Sequence, residues 1–204
     1  MDENQIVFVV DDDKAIREGI SDLVESMGLE VRCFASAEEF EQSYEPGRPN
    51  CLLLDVRMPG MSGMELLTRL AQEEIYIPTI IVTGHGDISM AVEALKTGAV
   101  DFIEKPFREH DLWLKIKEAF AVGAASRDIQ ARRADLKSKL SLLTSKERGV
   151  LRLLITGQTD KQIAVELDIS RRAVAFHRAR ILDKIAPLSI IELTALLARL
   201  DISL

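Results

Sequence analysis

Apolar residues in the first 120 positions concentrate in short runs, at residues 6–10, 31–34, 51–54, 79–82 and 100–103. Between them, residues 15–27 and 64–73 have the spacing of amphipathic helices, and Gly28, Pro49, Pro59, Pro78 and Gly98 punctuate the alternation. A strand that is apolar along most of its length has both faces covered, the condition of a parallel sheet wrapped by crossover helices. Five such units predict an α/β fold, a flavodoxin-like doubly wound five-stranded parallel sheet, over residues 1–122.

From residue 112 to 143 the pattern is helical and free of proline. Val122, Ile129, Leu136 and Leu143 recur every seven residues, as in a packing seam. The intermediate seam positions are mostly not apolar, and Gly123 is expected to interrupt the helix. A helical linker over residues 123–142 is therefore preferred to a dimeric coiled coil. Residues 143–204 predict an all-α four-helix domain. Thr144-Ser145-Lys146-Glu147 fits a capping box, and the helix it opens should stop near Gly157. A short helix at 160–167 leads to a tight turn at Asp168-Ile169, and Ser170 caps a longer helix reaching about 186, ended by Pro187. A fourth helix covers 190–200. Two helices across a short turn, the second rich in arginine, have the form of a helix-turn-helix.

Charge sharpens this division. Residues 1–122 hold 11 Lys/Arg against 24 Asp/Glu, whereas residues 144–204 hold 10 against 7. An acidic front half makes a poor nucleic-acid surface, and a basic tail can approach phosphate. No apolar run has the length of a membrane span, so no membrane partner is expected, and Met1-Asp2-Glu3-Asn4 lacks the character of a signal peptide. Cys33 and Cys51 both stand in apolar strand-like runs and read as reduced core residues of a cytoplasmic protein.

The chemistry lies where polar residues meet strand ends. Asp11 and Asp12 follow the first strand, Asp55 ends the third, Thr83 follows the fourth and Lys105 follows the fifth. Ligands of open parallel sheets bind outside the carboxyl ends of the strands, so these side chains should converge. Three crowded carboxylates need a cation, and oxygen ligands beside phosphate favour Mg²⁺. A carboxylate can attack a phosphoryl group to form an acyl phosphate. Asp55, on the central strand, is the candidate acceptor, with metal held by Asp12 and Asp55 and by Asp11 through water. Lys105 would add a positive charge and the Thr83 hydroxyl would bond the phosphate. Singly, an Asp pair is a cap and a Lys-Pro a loop; five such residues in register are not.

These residues also carry a resemblance. Val10-Asp11-Asp12-Asp13, Leu54-Asp55-Val56-Arg57-Met58-Pro59-Gly60, Thr83-Gly84-His85-Gly86 and Phe102-Ile103-Glu104-Lys105-Pro106-Phe107 resemble the signature blocks of response-regulator receiver domains, closest to the FixJ-type branch. The resemblance implies that Asp55 takes phosphate from a sensor histidine kinase. It further implies that the Arg57 backbone carbonyl completes the metal site and that the Lys105–Pro106 bond is cis. By the same resemblance Thr83 and Phe102 form a two-state switch, reported by the helix at 88–96, the fifth strand and the helix beyond Glu109, the face that makes the active homodimer.

The C-terminal segments Leu143-Thr144-Ser145-Lys146-Glu147-Arg148, Lys161-Gln162-Ile163-Ala164, Leu167-Asp168-Ile169-Ser170 and His177-Arg178 resemble the LuxR/FixJ/NarL helix-turn-helix. It implies double-stranded promoter DNA as ligand, with RNA polymerase a candidate further partner. Ile163, Leu167, Ile169, Val174, Ile181 and Ile185 would pack the helices. Lys161, Arg171, Arg172, Arg178, Arg180 and Lys184 sit where some can reach phosphates. Where relatives have Thr-Val-Glu, this chain has Ala173-Val174-Ala175, so the base-reading positions become Ala175, Phe176 and Ala179. Apolar side chains meet thymine methyls but form no hydrogen bonds, which predicts readout by methyl contacts, flanking arginines and DNA shape. The competing reading has Phe176 packed on a neighbouring helix. His177 reads as structural, and His85 and His110 have no partners that suggest catalysis. Two other classes rank lower. A receiver kept only for oligomerisation would have no need of all five site residues. An aspartyl phosphatase would carry a second acid two positions after its nucleophile, where Arg57 stands.

Overall fold

A computed structural model describes residues 5–45, 47–84 and 88–203 of the chain. His85, Gly86 and Asp87 of the fourth-strand motif lie outside the described residues. The chain divides into two compact units, Met1–Ser126 and Arg127–Leu204.

In the first unit, strands β1 (Ile6–Val10), β2 (Glu30–Phe34), β3 (Asn50–Asp55), β4 (Thr79–Thr83) and β5 (Asp101–Glu104) alternate with helices α1 (Lys14–Ser26), α2 (Ala37–Ser43), α3 (Gly63–Gln72) and α4 (Ile88–Thr97). The strands form one parallel sheet in the order β2-β1-β3-β4-β5. The apolar runs are explained by two cores. Ile6, Phe8, Val10, Leu52, Leu54 and Ile81 face one side, with Phe40 and Leu66. Val7, Val9, Cys51, Leu53, Ile80 and Val82 face the other, with Ile20, Val24, Leu112 and Ile116. Alternate residues of each strand thus serve opposite faces. Edge-to-face contacts among Phe8, Phe34, Phe40 and Tyr44 fill the first core.

The sheet edge departs from expectation. Cys33 is exposed, not a core residue, because β2 is an edge strand with Glu30, Arg32 and Cys33 all open to solvent. Glu30 pairs with Arg48 at 2.6 Å and with Arg32 at 3.4 Å, a charged rim of the kind that discourages edge-to-edge association.

The next helix, α5 (Glu109–Ser141), passes through Gly123 without interruption. A mid-helix glycine costs about 1 kcal/mol relative to alanine, too little to break a helix held by packing on either side. The seven-residue repeat is not one seam: Val122 and Ile129 are exposed, whereas Leu136 and Leu143 are buried in the second unit. Leu136 and Leu140 belong to that unit's core, so the last turns of the expected linker are part of the helical domain. They pack with α6 (Ser145–Ile155), α7 (Asp160–Glu166), α8 (Arg171–Ile185) and α9 (Ile190–Arg199) around Val150, Leu151, Ile163, Val174, Ile181, Ile185 and Leu193. Thr144, Thr159 and Ser189 open capping boxes with Glu147, Gln162 and Glu192, and Ser170 caps α8. Asp168 takes the left-handed conformation (φ 51°) in the turn between α7 and α8. The Lys105–Pro106 and Ala186–Pro187 bonds are cis.

Candidate functional site

The sheet order reverses between β1 and β3, so the crevice of this fold opens where those two strands end. Their register sets Val10 beside Leu54, and the next residues, Asp11 and Asp55, leave adjacent strands together. Lys105 follows β5, its backbone N–H donating to the Thr83 carbonyl at 2.7 Å. From there its ammonium reaches across to Asp11 Oδ2 at 2.6 Å and Asp55 Oδ1 at 2.7 Å. Asp11, Asp12, Asp13, Asp55, Arg57, Gly84 and Lys105 line a cleft of about 220 Å³.

Backbone groups orient these carboxylates. Asp55 Oδ2 accepts from Arg57 N–H at 2.8 Å and Asp11 Oδ1 from Asp13 N–H at 2.9 Å. Asp13 caps α1 by accepting from Ala15 and Ile16 N–H, and Arg17 donates to the Asp11 carbonyl at 2.6 Å. Asp11 and Asp55 are buried, and Asp12 is exposed. Burial raises the Asp55 carboxyl above its ordinary value, against the opposing pull of Lys105. For Lys105, burial works against the ammonium, but its hydrogen bonds to Asp11 and Asp55 outweigh it and hold the charge. Four acidic residues line the cleft against Lys105 and Arg57, an excess of negative charge that favours a cation.

Among the described residues, no three His, Cys, Asp or Glu side chains form a ready cation cage. Mg²⁺ needs none: it keeps several waters and takes one or two carboxylates, completing its shell with phosphate oxygens. Asp11 and Asp55, with Asp12 at the rim, fit that pattern of donors.

Thr83 is buried beside the cleft, not in its lining, and its hydroxyl donates to the Gly84 carbonyl at 3.2 Å. Phe102 pairs with Ile81, two residues before Thr83, so both side chains belong to the same sheet face. Phe102 is partly buried against the first core, and the Lys115 ammonium, paired with Asp101, lies 5.9 Å from its ring centroid.

In the second unit, α8 exposes Arg171, Arg172, Ala175, Phe176, Arg178, Ala179 and Arg180, and α7 exposes Lys161. Phe176 is 59% exposed and does not pack into the core; the Arg180 guanidinium stands 5.8 Å from its ring centroid. Arg178 makes a long contact, 3.4 Å, to Asp160. Lys184 is engaged within the unit itself. Its ammonium is held by Glu147 Oε2 at 2.6 Å and the Leu142 carbonyl at 3.0 Å, so it ties α8 to α6. The same lysine, together with Thr144 N–H, pulls the buried Glu147 carboxyl down to about 2. The capping box marked Glu147 in the sequence; its partner 37 positions away had no local signal.

Residues 7–117 match the family described as "Response regulator receiver domain", and residues 141–197 match "Bacterial regulatory proteins, luxR family". Response regulator protein TmoT of Ectopseudomonas mendocina is 41% identical over 203 residues, covering 100% of this chain and 92% of its own length. The transcriptional regulatory protein FixJ of Bradyrhizobium diazoefficiens is 38% identical over 193 residues, 95% of this chain and 94% of its own. The solved structure of response regulator StyR superposes with a TM-score of 0.81 at 41% identity, over 96% of this chain and 99% of that one. None of these names is that of an enzyme, and among the described residues no helix is long and apolar enough to cross a membrane.

Proposed function

The chain belongs to the response regulators that join a receiver domain to a LuxR-type DNA-binding domain and act as transcription factors, and on that premise we propose that phosphorylation of Asp55 gates its promoter binding. The observation that carries this reading is the Lys105 ammonium drawn between Asp11 and Asp55 at the switch point of the sheet. An Asp55 carboxylate oxygen attacks the phosphorus of a phosphohistidine on a sensor kinase. The new P–O bond forms as the P–N bond breaks, and the imidazole leaves with the electron pair and takes up a proton. Lys105 neutralises charge on the phosphoryl oxygens, and the Arg57 N–H orients the attacking carboxylate. Mg²⁺ held by Asp11, Asp12, Asp55 and the Arg57 carbonyl supplies further charge neutralisation when bound.

The product places new acceptor oxygens beside Thr83. Turning its hydroxyl from the Gly84 carbonyl to the phosphoryl group frees space on the face it shares with Phe102, which moves inward. Val92 and Leu95 of α4 and Leu114 of α5 are exposed apolar residues on the elements that report this change, and a homodimer forms there. In the helical unit, Lys161, Arg171, Arg172 and Arg178 bind DNA phosphates while Ala175, Phe176 and Ala179 meet base edges, with RNA polymerase the partner at the promoter. The protein acts in the cytoplasm.

Intact-mass measurement after incubation with acetyl phosphate and Mg²⁺ tests the acceptor. One phosphoryl group is expected on the wild type and none on Asp55→Asn; equal labelling of both refutes the assignment.

A further inference from the structure

The metal half of the cleft depends on a loop, residues 56–62, that leaves β3 directly after Asp55 and carries Arg57. Its two ends are fastened locally. Arg57 N–H donates to Asp55 Oδ2 at 2.8 Å, Gly63 N–H to the Val56 carbonyl at 3.1 Å, and Ser62 N–H to Glu65 Oε2 at 2.8 Å. The crest is fastened from elsewhere: Met61 N–H donates to Oε1 of Glu38, on α2, at 2.9 Å.

Two glycines make this clamp fit. Gly60 is left-handed (φ 77°), and a Cβ there would stand 2.8 Å from Glu38 Oε1, so the carboxylate enters where the loop has no side chain. A Cβ on Gly63 would stand 2.0 Å from the Asp55 carbonyl oxygen, so the start of α3 presses on the backbone of the acceptor itself. The loop is therefore bounded by Glu38 of α2 on one side and by the start of α3, closed against the Asp55 backbone, on the other. Met61 N–H also holds the Glu38 carboxyl below its ordinary value.

We propose that Glu38 is a positioning residue for the metal site at Asp55, acting through the Met61 amide on the loop that presents the Arg57 carbonyl; this rests on the reading of the cleft given above. Partners that orient metal ligands without touching the metal typically contribute 10–100-fold to affinity. With a single backbone tether, Glu38→Ala weakens Mg²⁺ binding about tenfold.

The test uses the full chain and Mg²⁺ alone, with affinity read from NMR amide shifts of residues 55–58 and loop closure from hydrogen exchange at the Met61 amide. Glu38→Ala is expected to lose about tenfold in Mg²⁺ affinity and to exchange faster at Met61, while Glu38→Gln, which keeps an acceptor at the same reach, returns to within about threefold of wild type. Glu39→Ala is the control. It lies in the same first turn of α2, and its Oε2 accepts from Ala35 N–H at 2.7 Å, so it disturbs the helix start without touching the loop. Unchanged Mg²⁺ affinity in Glu38→Ala, or equal losses in Glu38→Ala and Glu39→Ala, overturns the positioning role. If the wild type itself shows no Mg²⁺ response at residues 55–58, the reading of the cleft falls, and Glu38's role with it.

Discussion

Removing the Glu147 charge should unfasten the helical unit selectively. Glu147 is 3% exposed, and its Oε2 accepts from the Thr144 N–H at 2.8 Å and from the Lys184 ammonium at 2.6 Å. Its carboxyl is depressed from 4.5 to about 2, which at about 1.4 kcal/mol per unit corresponds to about 3 kcal/mol favouring the charged, folded form. Glu147→Gln keeps the shape and an oxygen that accepts from Thr144 and Lys184 but removes the charge opposing the Lys184 ammonium, so a loss of about 2–3 kcal/mol is expected at pH 7. For a domain of this size, that lowers the transition midpoint by roughly 10–20 °C. Scanning calorimetry of the intact chain should show the helical transition moving while the receiver transition holds. The pH dependence has a definite sign. A carboxyl whose folded value is depressed stabilises fully above its unfolded value of 4.5, and loses that contribution as pH falls toward about 2. The gap between wild type and Glu147→Gln should therefore close across that interval. A change under 0.5 kcal/mol at pH 7, or a gap that persists at the acid end, would refute the reasoning.

Thr83→Ala should take phosphate yet fail to dimerise, measured by light scattering with and without phosphodonor; undiminished dimer formation contradicts the switch. Gly19 is an exposed residue inside α1 with nothing within 4 Å of a Cβ, so Gly19→Ala should stabilise the receiver by about 1 kcal/mol in urea denaturation, and a loss of stability would show a hidden contact. Phe176→Ala should cost affinity mainly at sites with thymine under the helix, in a screen of randomised DNA; dominant guanine preferences at those positions would count against methyl readout. Arg172→Ala should weaken binding evenly across sequences and reduce the salt slope by about one, whereas a sequence-dependent loss would make it a base reader.

What could be read in the sequence was what local chemistry determines. Strands buried on both faces announce themselves as apolar runs, and helix starts by their caps, as at Thr144 and Ser170. Asp11, Asp55 and Lys105 were legible because strand ends of a doubly wound sheet converge whatever the loops between them do. What escaped depended on partners far along the chain. An arginine-rich helix does not say which of its cations are free to reach phosphates, and Lys184 lies on the side turned to Glu147. Cys33 sits in an apolar-looking run, yet its strand ended at the edge of the sheet, a matter of strand order that composition does not carry. Gly123 has low helix propensity, and packing on both sides overrode it. Glu38 meets Met61 across 23 positions through a single backbone hydrogen bond, which leaves no pattern to detect.

The central claim is that a phosphoryl group on Asp55 controls DNA binding by the helical unit. Retention on a pool of promoter fragments, with and without acetyl phosphate and Mg²⁺, tests it when wild type is compared with Asp55→Asn. The account predicts that phosphodonor strengthens specific retention of the wild type alone. Equal retention of both proteins, with or without donor, would leave the DNA-binding unit in place and contradict Asp55 as its switch.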